Sequence, residues 1–151
     1  MIFKQLAINN TLQAALIAWL LAQFLKVPLE YLETHAWNWG LWFSAGGMPS
    51  SHSALMCAVA LSSGLNDGFD KPAFAVALAV AMIVVYDAAG VRRQAGMQAK
   101  KINSILTELF SGQPISEQRL KEVLGHTPRQ VVAGVLLGLT TAWVWWLLWR
   151  A

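Results

Sequence analysis

Two shortages limit what this chain can be. Only 13% of its 151 residues are Asp, Glu, Lys or Arg, whereas soluble domains carry about 25%. So few charges cannot cover a water-facing surface, so lipid is expected to cover part of it. The single cysteine, Cys57, excludes a disulfide within one chain. The sequence shows no metal-ligand spacing. No cleavage-like site follows the first apolar run, which is therefore expected to be retained as a helix.

What the chain has instead is apolar residues, which make up 56% of it and give a mean hydropathy of +0.47. They collect in four segments, at roughly residues 11–24 (7–27 at its widest), 53–65, 72–89 and 131–149. A membrane-spanning helix needs ~20 residues, with ~17 as a lower limit. The second segment is short and rich in Ala, Ser and Gly. It is expected to be buried among the others, and partial spanning is an alternative.

Turn and capping residues mark the limits of these segments. The tripeptide Asn66-Asp67-Gly68 ends the second segment, Pro72 opens the third and Gly90 ends it, while Thr127 and Pro128 provide an N-cap and a first helical residue for the fourth. Residues 92–124 form a polar insertion with two amphipathic pieces, 94–110 and 117–124. The sequence therefore predicts one all-α domain over residues 1–151. It is a polytopic membrane helix bundle of about four transmembrane helices, with an amphipathic helical insertion on the cytoplasmic side.

Charge and tryptophan predict how the bundle sits in a membrane. Two Trp clusters, 37–42 and 143–149, lie at the ends of apolar runs, where Trp meets lipid headgroups. With four crossings, the loops after the first and third segments share one side. That side holds eight of the eleven basic residues: Lys26, Arg92, Arg93, Lys100, Lys101, Arg119, Lys121 and Arg129. The positive-inside rule places it in the cytoplasm and both termini outside the cell inner membrane.

Three polar clusters, at residues 46–53, 86–93 and 125–130, fall on that same side. Because the topology rests on charge alone, their common location is evidence for a site. In the first cluster, two glycines free the backbone and Ser50 is a natural N-cap, so the first-turn amides would form an anion site. Hydroxyls of Ser50, Ser51 and Ser53 add donors, and His52 adds a titratable group. The alternative is a plain glycine-rich cap with an incidental histidine.

The other two clusters place charged and titratable groups at helix ends. Asp87 ends an apolar helix, and an ionisable residue there suggests function. The next loop begins with Arg92 and Arg93, whose planar guanidinium groups suit phosphate oxygens. Ordinary membrane anchoring, with Asp87 as counter-ion, is an equal alternative for the arginines. His126, just before a helix, is either an interfacial or capping residue or, together with His52, a nucleophile that forms a phosphohistidine.

These motifs carry a resemblance to a known superfamily. The sequence Pro49-Ser50-Ser51-His52 resembles the Pro-Ser-x-His motif of the type-2 phosphatidic acid phosphatase superfamily, which includes vanadium haloperoxidases. Residues 125–134, Gly-His-Thr-Pro-Arg-Gln-Val-Val-Ala-Gly, resemble its last motif. With Asp-Ala-Ala-Gly-Val-Arg-Arg at 87–93 between them, most of residues 1–150 are similar to the small divergent branch of that superfamily.

The resemblance implies roles for matching residues. His126 would be the nucleophile that attacks phosphorus, and His52 would protonate the leaving group. Ser50, Ser51 and nearby backbone amides, including that of Gly47, would hold phosphate oxygens. The chemistry would need no metal or other cofactor, and the fold implied is a membrane helix bundle.

The remaining motif positions depart from the superfamily pattern. Arg92 or Arg93 would take the part of a phosphate-binding arginine that elsewhere lies six residues before the nucleophile. A Lys-x6-Arg-Pro motif is absent, with Lys100 or Lys101 as substitutes. Gln130 stands where the superfamily has a carboxylate supporting the nucleophilic histidine. A neutral amide orients an imidazole but adds no charge, so either Asp87 supplies that charge, or activity is weak or absent.

The leading interpretation is a metal-independent lipid phosphate phosphatase. Phosphatidylglycerophosphate, phosphatidate and polyprenyl diphosphate are the candidate substrates. The alternative is a non-catalytic membrane protein that binds anionic headgroups or a partner in the same pocket. A transporter role is disfavoured because no ionisable residue lies mid-span. Partners are then membrane lipids and the lipid phosphate, with no nucleic acid. The thin bundle favours a homodimer or higher homo-oligomer, and Gly134 and Gly138 offer a packing face that could equally serve within one subunit.

Overall fold

A computed structural model of the chain describes residues 2–44, 46–109 and 126–150, apart from the side chains at 2, 3, 92, 108 and 109. Every regular element in these ranges is helical. They are α1 (Ile2–Ala7), α2 (Asn10–Thr34), a 3₁₀ turn (Trp39–Phe43), α3 (Ser51–Asp67), α4 (Pro72–Ala89), α5 (Val91–Leu109) and α6 (Pro128–Arg150). The predicted all-α class is confirmed. The predicted piece 117–124 and Gly125 lie outside the described residues.

Three stretches of the described chain are long and apolar enough to cross a membrane: α2, the run Pro72–Thr107 from α4 into α5, and α6. The fourth bundle helix, α3, does not meet these criteria. With 17 residues it is about 25 Å long, shorter than a hydrocarbon core of about 30 Å. The prediction of about four spans is therefore refined to three candidate spans around one shorter helix.

Helix α3 lies at the centre of the bundle and packs against α2, α4 and α6. The side-chain amide of Asn66, near its end, donates to the Thr11 hydroxyl at 3.2 Å, so α2 and α3 run antiparallel. Nine of its residues are buried, and most are small: Ser51, Ser53, Ala54, Cys57, Ala58, Ala60, Ser62, Ser63 and Gly64. The expectation that this segment is buried among the others is confirmed.

Two glycines bring α6 into backbone contact with α3. A Cβ atom added at Gly134 would overlap the carbonyl oxygen of Ser50, and one at Gly138 would overlap that of Ala54. Small residues spaced by four allow helices in membranes to approach this closely. The pair therefore packs inside one subunit and sets α6 parallel to α3, so a homodimer, which stays a prediction, would use another face.

The distribution of side chains is inverted relative to a water-soluble protein. The buried core cluster consists of alanines, namely Ala18, Ala22, Ala54, Ala58 and Ala142. Large apolar side chains point outward instead, and Ile83 and Leu148 are each 67% exposed. An apolar surface of this extent needs a partner other than water. The packing therefore supports a bundle whose outer face meets lipid.

Aromatic residues mark the two ends of the bundle. At one end, Trp37 stacks between Tyr31 and Trp39 beside the 3₁₀ turn. At the other, the Arg150 guanidinium lies 4.7 Å from the Trp146 ring centre. Asn10 and Arg150 line one hollow, so the start of α2 and the end of α6 share this second end. Which end faces the cytoplasm stays a prediction.

Helix α2 is longer than the first predicted segment. The Asn9 side chain caps it by accepting from the Leu12 amide at 2.9 Å. It then continues through Pro28 to Thr34, because a proline removes one backbone donor without ending a helix that packing supports. His35 ends the helix in a left-handed conformation. Lys26 consequently lies inside a bundle helix, not in the loop to which the sequence assigned it.

Helix α5 corresponds to the first predicted amphipathic piece. It begins directly after Gly90 and continues the helical run of α4, which extends from Pro72 to Thr107. Its apolar side chains Val91, Ile102 and Ile105 are exposed along one stripe, while Arg93 and Lys100 lie near the opposite face by helical spacing. The insertion is thus helical and amphipathic over its described part.

Candidate functional site

The serine-rich start of α3 is buried and held by its own cap. The Ser50 hydroxyl accepts from the Ser53 amide at 3.4 Å and from the Ser53 hydroxyl at 3.0 Å, which confirms the predicted N-cap. Ser50 and Ser51 are almost fully buried, whereas His52 between Ser51 and Ser53 is exposed. The first-turn amides and the positive end of the helix dipole therefore point toward the loop before α3.

Gly47 shapes that loop and brings it against α2. Its φ of 85° lies in the region that side chains disfavour. A Cβ atom at Gly47 would already lie 3.6 Å from the Lys26 side chain. The loop backbone and Lys26 are thus close neighbours, and the positive φ, not a lack of space, favours glycine at this position.

Lys26 is a candidate site residue that the sequence analysis placed in a loop and did not assign to the site. Its side chain is 1% exposed, and its ammonium donates to the Ser44 carbonyl at 2.7 Å. Within the described part of the chain, no carboxylate lies at ion-pairing distance from it. A buried cation without a counter-ion is costly, and such residues mark ligand sites. The sequence feature that could have identified Lys26 is the apolar stretch, which continues beyond it.

His126 lies before α6 and is held by Gln130. The Gln130 side-chain oxygen accepts from the Thr127 amide at 3.0 Å, and the Thr127 hydroxyl accepts from the Gln130 amide at 3.4 Å. This reciprocal pair is a capping box. The same oxygen lies 3.2 Å from Nδ1 of His126. Because a backbone N–H can only donate, that Gln130 atom is an acceptor. Nδ1 therefore acts as the donor to this oxygen.

A backbone hydrogen bond joins the two motifs. The Ser50 amide donates to the Gln130 carbonyl at 3.0 Å, next to the close approach of Gly134. His126 is 6% exposed, so the imidazole is sheltered at the start of α6. The structure thus brings together three separate parts of the chain: Lys26 bonds to Ser44 in the loop before α3, and Ser50 at the end of that loop bonds to Gln130, which holds His126.

The other predicted residues belong to α4 and α5. Asp87 is half-buried on the last turn of α4. Arg93 and Lys100 are exposed on α5, and neither makes a hydrogen bond or ion pair with the described residues of the group. Arg92 belongs to α5, but its side chain lies outside the described atoms. Their proposed roles in holding phosphate stay predictions.

The donors of this group suit an oxyanion. A buried ammonium, helix-start amides and serine hydroxyls are all positive or hydrogen-donating, and phosphate oxygens accept from each of them. Within residues 2–44, 46–109 and 126–150, no three His, Cys, Asp or Glu side chains come together as a metal centre requires. His126 is joined to these donors through Gln130 and Ser50, so the same place combines hydrogen-bond donors with an imidazole.

Comparisons with known proteins agree with the motifs. A family model described as the divergent PAP2 family matches residues 7–141. An uncharacterized membrane protein of Bacillus subtilis, YuiD, is 37% identical over 146 residues, covering 89% of this chain and 92% of that protein. No solved structure matches the chain. The resemblance inferred from the motifs is confirmed, and the chain is similar to a membrane protein along nearly its whole length.

Proposed function

Because the chain belongs to the divergent PAP2 family, we propose that this integral membrane protein is a phosphatase that removes phosphate from a lipid headgroup. The observation that carries the proposal is the 3.2 Å contact between Nδ1 of His126 and the Gln130 side-chain oxygen, which would hold the imidazole with Nε2 as the attacking nitrogen. Binding an anion needs no defined tautomer, whereas attack on phosphorus needs a lone pair on a positioned nitrogen.

The proposed reaction has two in-line steps. In the first, Nε2 of His126 forms a bond to phosphorus while the bond from phosphorus to the leaving oxygen breaks. His52, protonated, gives its proton to that oxygen, and the dephosphorylated lipid leaves. In the second, neutral His52 takes a proton from a water molecule whose oxygen attacks phosphorus. The P–N bond breaks, phosphate departs, and His126 regains its lone pair.

Electrostatic stabilisation would come from the donors around the loop. Lys26 and the first-turn amides of α3 would hold the equatorial oxygens, together with the Ser51 hydroxyl and Arg92 or Arg93. The phosphorylated imidazole carries a positive charge while Nδ1 keeps its proton. Gln130 accepts that proton's hydrogen bond without charge, so its support is weaker than a carboxylate's. Asp87 is the candidate source of the missing negative charge.

The substrate belongs to lipids whose phosphate lies at the membrane surface. Phosphatidylglycerophosphate, phosphatidate and polyprenyl diphosphate each present a terminal phosphate group beside an apolar body. The neutral Gln130 favours one competing function, in which the same group binds anionic headgroups without turnover. Both functions use Lys26 and the loop, but only the phosphatase uses the lone pair of His126.

Phosphate release from these three lipids by the purified protein in detergent would test the proposal. We expect release that vanadate inhibits and that His126→Ala abolishes. Gln130→Leu should lower the rate by about a hundredfold, the scale of losing an orienting partner. Gln130→Glu should raise the rate, because it keeps the capping box and adds charge. A folded protein that releases no phosphate from any of the three would reject the phosphatase in favour of headgroup binding.

A further inference from the structure

A mostly apolar hollow lies between α2 and the 3₁₀ turn. Its volume is about 410 Å³, and its lining consists of Trp19, Leu20, Gln23, Phe24, Trp42 and Phe43. Phe24 and Trp42 meet edge to face, with ring centres 5.7 Å apart. The Gln23 amide nitrogen donates to the Trp42 carbonyl at 2.7 Å and fixes the turn against α2.

The hollow is connected to the anion site on both of its walls. On α2, Gln23 and Lys26 are three residues apart and therefore share a face. On the turn, Phe43 is followed directly by Ser44, whose carbonyl holds the Lys26 ammonium. The two places thus follow one another along the same two segments and differ in chemistry, one cationic and the other aromatic and aliphatic.

The order of these residues along α2 matches the order of groups in a lipid, in which the phosphate lies at one end and the apolar chain follows it. At 1.5 Å per residue, Trp19 lies about 10 Å further from the site end of the bundle than Lys26. A phosphate at Lys26 would therefore place an attached chain along Gln23, Leu20 and Trp19. The Gln23 side-chain oxygen is buried and has no hydrogen-bond partner among the described residues. Ligand pockets combine such an apolar lining with a few placed polar atoms.

We infer that this hollow binds the apolar chain of the lipid phosphate while Lys26 and the loop hold its headgroup, an inference that rests on the proposed function. The hollow would then select long-chain lipid phosphates over short or water-soluble phosphate esters.

Substitutions that fill the hollow test this inference, with a matched control elsewhere on the molecule. Leu20→Trp adds bulk to the hollow. Leu139→Trp adds the same bulk to a second apolar hollow of about 300 Å³ lined by Leu61, Leu139, Thr140, Trp143 and Val144. Leu20 and Leu139 are 44% and 37% exposed, so both variants should fold.

The first readout is binding of dioleoyl phosphatidate, measured by native mass spectrometry of the His126→Ala protein, so that turnover does not interfere. We expect Leu20→Trp to weaken binding by about tenfold or more, and Leu139→Trp to leave it unchanged. Equal binding in both variants would overturn the chain site. This readout does not depend on phosphatase activity, so failure of the proposed function and failure of this inference give different results.

The second readout is the rate on a dihexanoyl against a dioleoyl phosphatidate. With an active enzyme, Leu20→Trp should raise KM for the dioleoyl lipid by about tenfold and spare the short-chain lipid. An equal loss on both lipids would mean that the substitution disturbs the phosphate site itself, which contradicts the inference.

Discussion

Gln130 performs two tasks that the superfamily's carboxylate would also perform. Its side-chain oxygen closes the capping box with Thr127 and holds Nδ1 of His126. Orientation of the imidazole is therefore retained, and only the negative charge is lost. The sequence shows the replacement, but it cannot show that one oxygen serves both partners, since that depends on the geometry of the turn before α6.

Replacing Lys26 with methionine should separate stability from function. Lys26→Met removes a buried charge that lacks a counter-ion among the described residues, so we expect Tm to rise by about 2–4 °C, the shift given by about 1 kcal/mol in a chain of this size. Vanadate affinity should fall by more than about tenfold, because a charged hydrogen bond to the anion is lost. Thermal unfolding in detergent and vanadate inhibition measure the two effects.

Lys100→Met is the matched control, because Lys100 is exposed on α5. It should change neither Tm nor vanadate affinity. If Lys100→Met lowered both Tm and vanadate affinity while Lys26→Met changed neither, the phosphate-holding role would belong to Lys100, as the sequence analysis suggested. Lys26 escaped that analysis because its burial arises from contact with Ser44 and Gly47, which lie some twenty residues away in the chain.

The helix boundaries could be predicted from the sequence wherever a capping residue or a proline determines them. The limits at Pro72, Gly90 and Pro128 agree with the structure. The end of α2 could not be predicted from the sequence, because Pro28 is typical of a helix end and only packing keeps the helix intact beyond it. The second apolar segment was short and rich in small residues, which correctly predicted a buried helix but left its number of crossings open.

The glycines of α6 should show how helix packing supports the site. Both Gly134→Ala and Gly138→Ala place a methyl group against the backbone of α3, which cannot give way as a side chain can. We expect each to destabilise the protein by about 1–3 kcal/mol. Only Gly134→Ala should also reduce phosphate release strongly, because it displaces Ser50 at the site. Thermal unfolding and activity assays distinguish the two.

Leu136→Ala provides the comparison for these variants, since Leu136 lies on the same helix and is 58% exposed. It should leave Tm and activity nearly unchanged. If Gly134→Ala and Gly138→Ala reduced activity equally, the site would depend on bundle stability alone and not on the position of Ser50.

The orientation of the whole bundle can be read with single cysteines. Cys57 is buried, so a Cys57→Ala background should fold and carry no reactive thiol. Lys71→Cys, between α3 and α4, and Lys100→Cys, on α5, report opposite ends of the bundle. We expect an impermeant maleimide to label Lys71→Cys on intact cells and Lys100→Cys only after permeabilisation, because basic residues stay in the cytoplasm. The reverse pattern would place the site outside.

The enclosed position of α3 also bears on how the protein is made. Insertion into a membrane selects segments by their apolar content, and α3 is short and carries four buried serines: Ser51, Ser53, Ser62 and Ser63. We therefore expect it to enter the bilayer as a hairpin with α4, and to remain loosely held during synthesis. Helix α6, which packs against α3, is translated only after residues 92–124. The loop before α3 lies between helices from both halves of the chain, so the site would be assembled only once α6 has been made.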